Sequence, residues 1–437
     1  MLSAFANAFR TPDLRKKILF TLFIMVLFRI GSTIPVPNVN IQQLNVCRTQ
    51  ATAGDQAGLY SMINLFSGGA LLQLAIFALG IMPYITASII LQLMTVVVPR
   101  LEALKKEGAA GTQTITQYTR YLTLFLAVIQ ATAFTTLAVN NQLFQGCVGI
   151  VYDKGYFPVA VMIFTMTAGT GVIMWMGELI TDRGVGNGMS VMIFTQIAAQ
   201  FPAGLWEIKV AHESDGTQGW FLFLLVIAIG LLVMAGVIFM EQAQRRIPVQ
   251  YAKRMVGRRM FGGTTTYIPL KVNQAGVIPV IFASSMLYLP VLYANFFPDA
   301  WGAAWITAHF QSGRHWVYNL IFFAMIIFFA YFYVAITFNP EEVADNMKKY
   351  GGFIQGKRAG KQTENYLRYV LNRLTAPGSL YLALISMIPT LAIVLLNSNN
   401  KFPLGGTSLL IVVGVGLDTV KQIESQLQQR HYEGFLR

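Results

Sequence analysis

The most informative pattern in the chain is a pair of unequal apolar pieces near its start. The stretch from Asn64 to Leu93 reads NLFSGGALLQLAIFALGIMPYITASIILQL, in which Ser67, Gly68 and Gly69 interrupt a short piece before a continuous apolar run begins. A helix needs about 20 apolar residues to cross a bilayer, so the short piece cannot span one. Backbone that ends partway through a membrane is tolerated only where protein or a water-filled cavity surrounds it. The pattern therefore predicts a hollow interior.

Apolar runs of spanning length recur along the rest of the chain. The predicted spans, numbered in chain order, cover roughly residues 18–36, 75–98, 121–139, 156–177, 189–206, 220–240, 275–294, 316–337, 376–396 and 405–420. The composition agrees, because 55% of the 437 residues are hydrophobic, 12% are charged and the mean hydropathy is +0.54. We therefore predict an all-α polytopic membrane protein with ten transmembrane helices.

The positive charges of the loops predict the orientation, because Lys and Arg accumulate in cytoplasmic loops close to the spans. Arg29 lies within the first predicted span. Only a few of the other Lys and Arg residues lie in loops on one side of the membrane, namely Arg48, Lys154, Lys209, Arg314 and Lys401. The remainder lie on the opposite side, which also holds both ends of the chain. Both termini are therefore predicted to be cytoplasmic.

Two long loops on the predicted cytoplasmic side, residues 241–274 and 338–374, are rich in Lys and Arg. Positive-inside topology and contact with anionic lipid headgroups are one explanation for this charge. Docking of a large acidic or RNA-bearing partner is the other, because topology needs only a few charges beside each span. The candidate docking residues are Arg245, Arg246, Arg258, Arg259, Lys357 and Arg358.

The residues indicate no catalytic or cofactor-binding chemistry. Gly351 to Arg358 has the spacing of a phosphate-binding loop, but Arg358 stands where Ser or Thr must ligate magnesium. The four histidines lack zinc-type spacing, and no nucleophile lies beside a base. We therefore predict no cofactor, no metal site and no enzyme activity. Scarce ionisable groups within the spans also disfavour a secondary transporter, which is the rival functional class.

Two further features concern side chains rather than spans. The cysteines, Cys47 and Cys147, both fall in loops predicted to face outward, where a disulfide between them and two free thiols are alternatives. Uncharged polar residues also cluster in or beside the second, third and seventh spans, where bonds between helices average about 0.6 kcal/mol and would allow an interface to open. These residues are Thr86, Ser88, Gln92, Gln130, Asn273, Ser284 and Ser285. Static contacts between helices would equally explain them.

Several long motifs resemble the SecY family of bacterial protein-conducting channels. They include FSGGALLQLAIFALGIMPYITASIILQL, RRIPVQYAKR, PLKVNQAGVIPVIFASS, FNPEEVADNMKK and GGTSLLIVVGVGLD, in the order that the family has them. The resemblance implies two pseudo-symmetric inverted halves, residues 1–210 and 211–437, around a central hourglass pore in the bacterial inner membrane. It also implies a short plug helix at about residues 60–74. The plug positions are Asn64, Phe66, Ser67, Gly68 and Gly69.

The resemblance further implies a passive pore that passes unfolded preproteins outward and releases hydrophobic segments sideways into lipid. The positions implied for its apolar pore ring are Ile81, Ile85, Met189, Ile193, Ile281 and Ile411. The implied lateral gate lies between the second and third spans on one side and the seventh and eighth on the other. The implied partners are SecE, SecG, the motor ATPase SecA, the ribosome with its RNA, signal sequences and unfolded preproteins.

The chain departs from the family at one loop. Where the family commonly reads close to FVPGIRPG, residues 353–360 read FIQGKRAG, which removes two prolines and adds Lys357 next to Arg358. Because proline limits φ and stiffens a loop, this substitution predicts a more mobile loop tip.

Overall fold

The computed structural model of this chain is mostly helical, with a small β-structure in one region. It describes residues 9, 11–53, 67–140, 147–202, 206, 217–251, 254–256, 259–261, 265–296, 300–310, 315–396 and 406–433. The helices are α1 (Pro12–Gly31), α2 (Ile41–Ala53), α3 (Met82–Val97), α4 (Pro99–Lys106), α5 (Ala109–Val139), α6 (Tyr156–Arg183), α7 (Gly188–Ala198), α8 (Thr217–Gln242), α9 (Ile278–Phe296), α10 (Ala303–Phe310), α11 (Trp316–Thr337), α12 (Pro340–Lys349), α13 (Lys361–Leu396) and α14 (Gly406–Glu433). The strands are β1 (Gln244–Tyr251), β2 (Arg254–Val256), β3 (Arg259–Phe261), β4 (Thr265–Lys271) and β5 (Gly352–Ile354).

A helix overlaps each of the ten predicted spans. Among the described residues, four helical runs are long and apolar enough to cross a membrane, namely α5, α6, most of α8 and the run Trp316–Lys349 that contains α11 and α12. The pair α3 and α4 would be a fifth, although the two helices are bent by 99° relative to each other. These helices identify a helical membrane protein, and the count of ten spans stays a prediction.

Local sequence explains where several helices begin and end. Helix α3 ends at Val97 because Pro99 favours an extended conformation at Val98, which has φ −101° and ψ 110°. Gly108, with φ 78°, then turns the chain between α4 and α5. Helix α7 begins after Asn187, whose side-chain oxygen accepts a hydrogen bond from the backbone N–H of Met189. These breaks separate α3 from α4, α4 from α5, and α6 from α7.

The helices pack in two sets. In the first set, α3 packs on α5, α5 on α6, and α6 on both α1 and α7; in the second, α9 packs on α11, α11 on α13, and α14 on both α8 and α13. Contacts between the sets occur where α3 meets α9 and where α7 meets α14. This pattern is compatible with the predicted halves at 1–210 and 211–437, whose boundary and symmetry stay predictions.

The all-α prediction is incomplete in the two long loops. Strand β1 from the first loop lies at the centre of a three-stranded antiparallel sheet, between β4 of the same loop and β5 of the second, while β2 and β3 form a separate hairpin. The reason is a period-two pattern in which Ile247 and Val249 are buried on either side of the exposed Pro248. The two loops therefore form one folded unit.

In the part of the predicted plug helix that the structure describes, only Ser67 is helical, and the plug helix itself stays a prediction. Residues 68–74 form consecutive turns rather than a helix, and Asn64 and Phe66 lie outside the described residues. Gly68 and Gly69 have φ angles of 65° and 89°, and Leu74 has φ 43°. A right-handed helix cannot continue through residues with positive φ, which explains the difference.

Candidate functional site

One part of the predicted pore ring lies in an apolar cluster between α1, α3, α6 and α7. Ile81 is buried in this cluster, and Ile85, Met189 and Ile193 pack against it. The start of α7 is held unusually close to α6, since a Cβ atom on Gly188 would overlap the carbonyl oxygen of Gly177. Glycine at both positions therefore lets Met189 reach the cluster.

The remaining ring positions lie in an adjoining cluster. Ile281 of α9 and Ile411 of α14 are buried there together with Ile197 of α7, and Ile85 and Ile193 pack against this cluster as well. The two clusters are continuous because they share these last two side chains. Apolar side chains from α3, α7, α9 and α14 thus meet at one place between the two helix sets.

The described part of the predicted plug packs beside this apolar junction. Ser67 is buried, and its Oγ accepts a hydrogen bond from the backbone N–H of Leu71 at 3.3 Å. A Cβ on Gly68 would lie 3.3 Å from the backbone of Gln196 on α7, so this turn touches α7 directly. Arg29, the charged residue of the first predicted span, donates from Nη1 to the carbonyl oxygen of Gly68 at 2.9 Å. The sequence indicated Arg29 as an unusual residue but not its acceptor.

Next to this turn, two connecting segments are joined to each other. Cys47 of α2 and Cys147 form a disulfide and are both buried. Beside it, the Asn38 side chain donates to the carbonyl oxygen of Asp153 at 2.7 Å and accepts from the Asp153 N–H at 3.0 Å. The N–H of Val36 also donates to the carbonyl oxygen of Leu74 at 2.8 Å. The last residue of the plug region is therefore attached to the same scaffold as the disulfide.

A mobility assay checks this disulfide in the extracted protein. If free thiols are blocked during denaturing extraction, we expect reduction to change the electrophoretic mobility, because the bond closes a loop with a sequence separation of 100. Cys47→Ala is the matched control, since it removes the bond without changing the length of the chain. Identical migration of the blocked parent with and without reductant would exclude the bond.

The predicted hydrogen bonds across the gate are not present among the described residues. Thr86 donates to the carbonyl oxygen of Met82 at 3.0 Å, and Ser284 donates to that of Ile281 at 2.9 Å, so each bonds within its own helix. Such bonds to the preceding turn compete with contacts between helices. The contact of α3 with α9 instead runs through apolar side chains, including Ile85 and Ile281.

The other predicted gate residues are more scattered. Ser88 and Gln130 are half-buried, Gln92 is exposed, and the Oγ of Ser285 is buried without a hydrogen bond among the described residues. Asn273 is buried and donates from Nδ2 to Oε1 of Glu241 at 2.5 Å. Sequence reasoning missed this pair because Glu241 and Asn273 belong to different elements, the end of α8 and the connection after β4.

The candidate docking residues lie on or next to the folded unit made by the two long loops. One face of its sheet is buried against α12 and α13, where Ile247, Leu270 and Leu367 share an apolar cluster. Arg245 and Arg246 of β1 are exposed, and so are Lys357 and Arg358 at the tip after β5. Arg259 lies in β3, and Arg258 lies outside the described residues.

The loop tip is held in place despite its missing prolines. The backbone N–H of Arg358 donates to Oε1 of Gln362 at 3.3 Å, and Thr363 donates from Oγ1 to the carbonyl oxygen of Arg358 at 2.9 Å. Lys357 Nζ lies 5.7 Å from the centre of the Tyr366 ring. The first turn of α13 therefore fixes Arg358, whose side chain stays exposed. The predicted greater mobility of this tip is untested.

Long apolar helices and an apolar junction between two helix sets define a class, that of polytopic helical membrane proteins. Comparison with known proteins is more specific. The family model SecY matches residues 75–420. A protein translocase subunit SecY of Streptomyces scabiei is 62% identical over 441 residues, which cover 100% of each chain. The chain therefore belongs to the SecY family.

Two solved structures share the fold at low sequence identity. One is a protein-conducting channel, with a TM-score of 0.62 and 18% identity over 94% of this chain and 91% of that chain. The other is a channel in a canine ribosome–channel complex from the endoplasmic reticulum, with a TM-score of 0.60 and 16% identity over the same shares, 94% and 91%. Similarity at this level shows a common fold.

Proposed function

We propose that this chain is the central channel subunit of a general secretion translocon, a passive pore for unfolded preproteins. The observation that carries the proposal is the continuous apolar junction at which Ile85, Ile193, Ile281 and Ile411 meet between the two helix sets. Bulky apolar side chains at a constriction exclude water and so block ions without binding what passes. Met189, which borders the junction, is flexible enough to adapt to varied chains.

The lateral gate belongs between α3 and α5 on one side and α9 and α11 on the other. Since α3 and α9 meet through apolar side chains, separating them exposes a surface that lipid can cover as readily as the partner helix did. A hydrophobic segment in the pore can leave through this opening. In this proposal the halves are residues 1–210 and 211–437, and residues 60–74 close the outer funnel.

The driving force has to come from a partner, because the chain shows no nucleotide-binding motif. The exposed arginines and lysine of the folded loop unit suit an acidic motor or ribosomal RNA. A related channel was solved in a ribosome–channel complex, which supports the ribosome as one partner. The other proposed partners are the motor SecA, the membrane subunits SecE and SecG, signal sequences and anionic lipids. The location is the bacterial inner membrane with both termini cytoplasmic.

Reconstitution tests this function. Vesicles that contain the chain with SecE and SecG are expected to import a signal-bearing precursor when SecA and ATP are supplied, so that the precursor becomes resistant to added protease. The controls are vesicles without ATP and a precursor without its signal sequence. Vesicles that leave the precursor fully digestible under all conditions would contradict the proposal and favour the class of solute carriers.

A further inference from the structure

A short connection joins the folded loop unit to the helix that carries one of the ring residues. Strand β4 ends at Lys271 and α9 begins at Ile278, so residues 272–277 are all that separate the sheet from the helix of Ile281. A displacement of the sheet therefore reaches the apolar junction through very little chain. What holds this connection in place decides where α9 begins.

Backbone and side-chain contacts hold the connection against the end of α8. The backbone N–H of Val272 donates to the carbonyl oxygen of Ala243 at 3.0 Å, just after α8 ends. On the other side lies α13, where a Cβ atom on Gly378 would overlap the carbonyl oxygen of Val272. The connection is therefore confined between α8 and α13, and little space remains for it to shift toward α13.

Within this connection, the side chain of Asn273 forms a hydrogen bond with the carboxyl group of Glu241 at the end of α8. Asn273 donates from Nδ2 to Oε1 of Glu241 at 2.5 Å and to the carbonyl oxygen of Gly276 at 3.1 Å. Asn273 is 3% exposed and Glu241 is 8% exposed. Losing the Glu241 acceptor would leave one N–H of this buried amide without a partner, which is costly.

A neighbouring ion pair offers a contrast. Lys271 Nζ lies 3.6 Å from Oδ1 of Asp418, and their side chains are 42% and 68% exposed. Exposed ion pairs of this kind contribute little to stability. The buried bond therefore contributes more to holding the connection than the exposed pair does.

We infer that Glu241 is a positioning residue that holds the start of α9, and through it Ile281, in the sealed arrangement. This inference rests on the proposed channel function. While Glu241 accepts from Asn273, the first turn of α9 is fixed to α8 and Ile281 stays against Ile411. When the bond is lost, one N–H of Asn273 must find another acceptor, the attachment of the connection to α8 is weakened, and α9 can separate from α3 more readily. Glu241 thus sets how readily the gate opens for a weak signal sequence.

The test compares export of two precursors, one with a normal and one with a defective signal sequence, in reconstituted vesicles. We compare the export of the precursor with the defective signal sequence with that of the normal precursor. Glu241→Leu is expected to raise this export ratio about tenfold, which corresponds to about 1.4 kcal/mol in the opening equilibrium. Glu241→Gln keeps an oxygen that accepts from Asn273, so its ratio is expected to rise by no more than about threefold. Asp418→Asn is the matched control and is expected to keep the parental ratio.

A merely structural role for Glu241 would reduce the amount of folded protein and lower export of both precursors together, leaving the ratio unchanged. If Glu241→Leu fails to accumulate, Asn273→Leu removes the same bond from the other side and is expected to raise the ratio similarly. The double variant is expected to match the single ones, because they remove one shared contact. If both single variants keep the parental export ratio, the inference is overturned. Normal export by the parent in the same experiment would still uphold the channel function. Absence of export by the parent itself would overturn both.

Discussion

Ile281→Asn is expected to make the resting channel conduct ions. Ile281 is buried with Ile411 at the apolar junction, where a side-chain amide would hydrogen-bond water and stabilise it in the constriction. Whether a buried amide has such a hydrogen bond or lacks it changes the free energy by about 1 to 3 kcal/mol in proteins. If the hydrated, conducting state of the constriction gains this free energy, the conductance rises roughly 5- to 150-fold. Planar-bilayer recordings of the purified complex measure it.

Ile281→Leu is the matched control for this substitution. It keeps the side chain apolar and of the same size, so it is expected to keep the parental conductance. Export of a precursor with a defective signal sequence provides a second measurement, and we expect it to increase in Ile281→Asn only. Parental conductance and parental signal selectivity in Ile281→Asn would show that these isoleucines only pack helices together.

Arg358→Glu is expected to reduce SecA-driven export at least about tenfold, because like charges placed opposite each other at an interface cost several kcal/mol. The side chain of Arg358 is exposed, while its backbone is fixed by Gln362 and Thr363 of α13. Reversing its charge therefore alters the docking surface without removing a contact that holds the fold. Initial rates of protease protection of a precursor, at several salt concentrations, measure the effect.

Lys348→Glu is the control, since Lys348 is an exposed basic residue on α12 of the same folded unit and precedes the strand β5 that leads to the loop tip. It is expected to retain most of the export activity. Both variants should accumulate in the membrane at the parental level, and raising the salt concentration should narrow the difference because exposed charges are screened. Equal export by Arg358→Glu and the parent would refute a docking role for Arg358.

The helical membrane fold follows largely from apolar run length, and each predicted span overlaps a helix. The boundaries of the helices were harder to predict from the sequence, because they depend on local conformations such as the extended Val98 before Pro99 and the positive φ of Gly68. The sheet was missed for a different reason. Its pairing joins Val249 to Ile354, from two loops far apart in the chain, and abundant Lys and Arg hid the short apolar alternation.

The candidate site was only partly accessible from the sequence. The ring positions came from family resemblance, since an isoleucine that lines a constriction looks like any other packing isoleucine in a helix. The partner of Asn273 could not be found in this way, because Glu241 reaches it from the end of another helix. Thr86 and Ser284 bond within their own helices, an alternative that composition alone does not distinguish from contacts across a gate.

The hydrogen bond from Arg29 to Gly68 joins residues 39 positions apart. During synthesis, the guanidinium has no access to this acceptor until those further residues have been added. A charge without a partner stays at the bilayer surface, among headgroups and water. The first helix is therefore expected to reach its final depth only after the chain has been synthesised as far as Gly68.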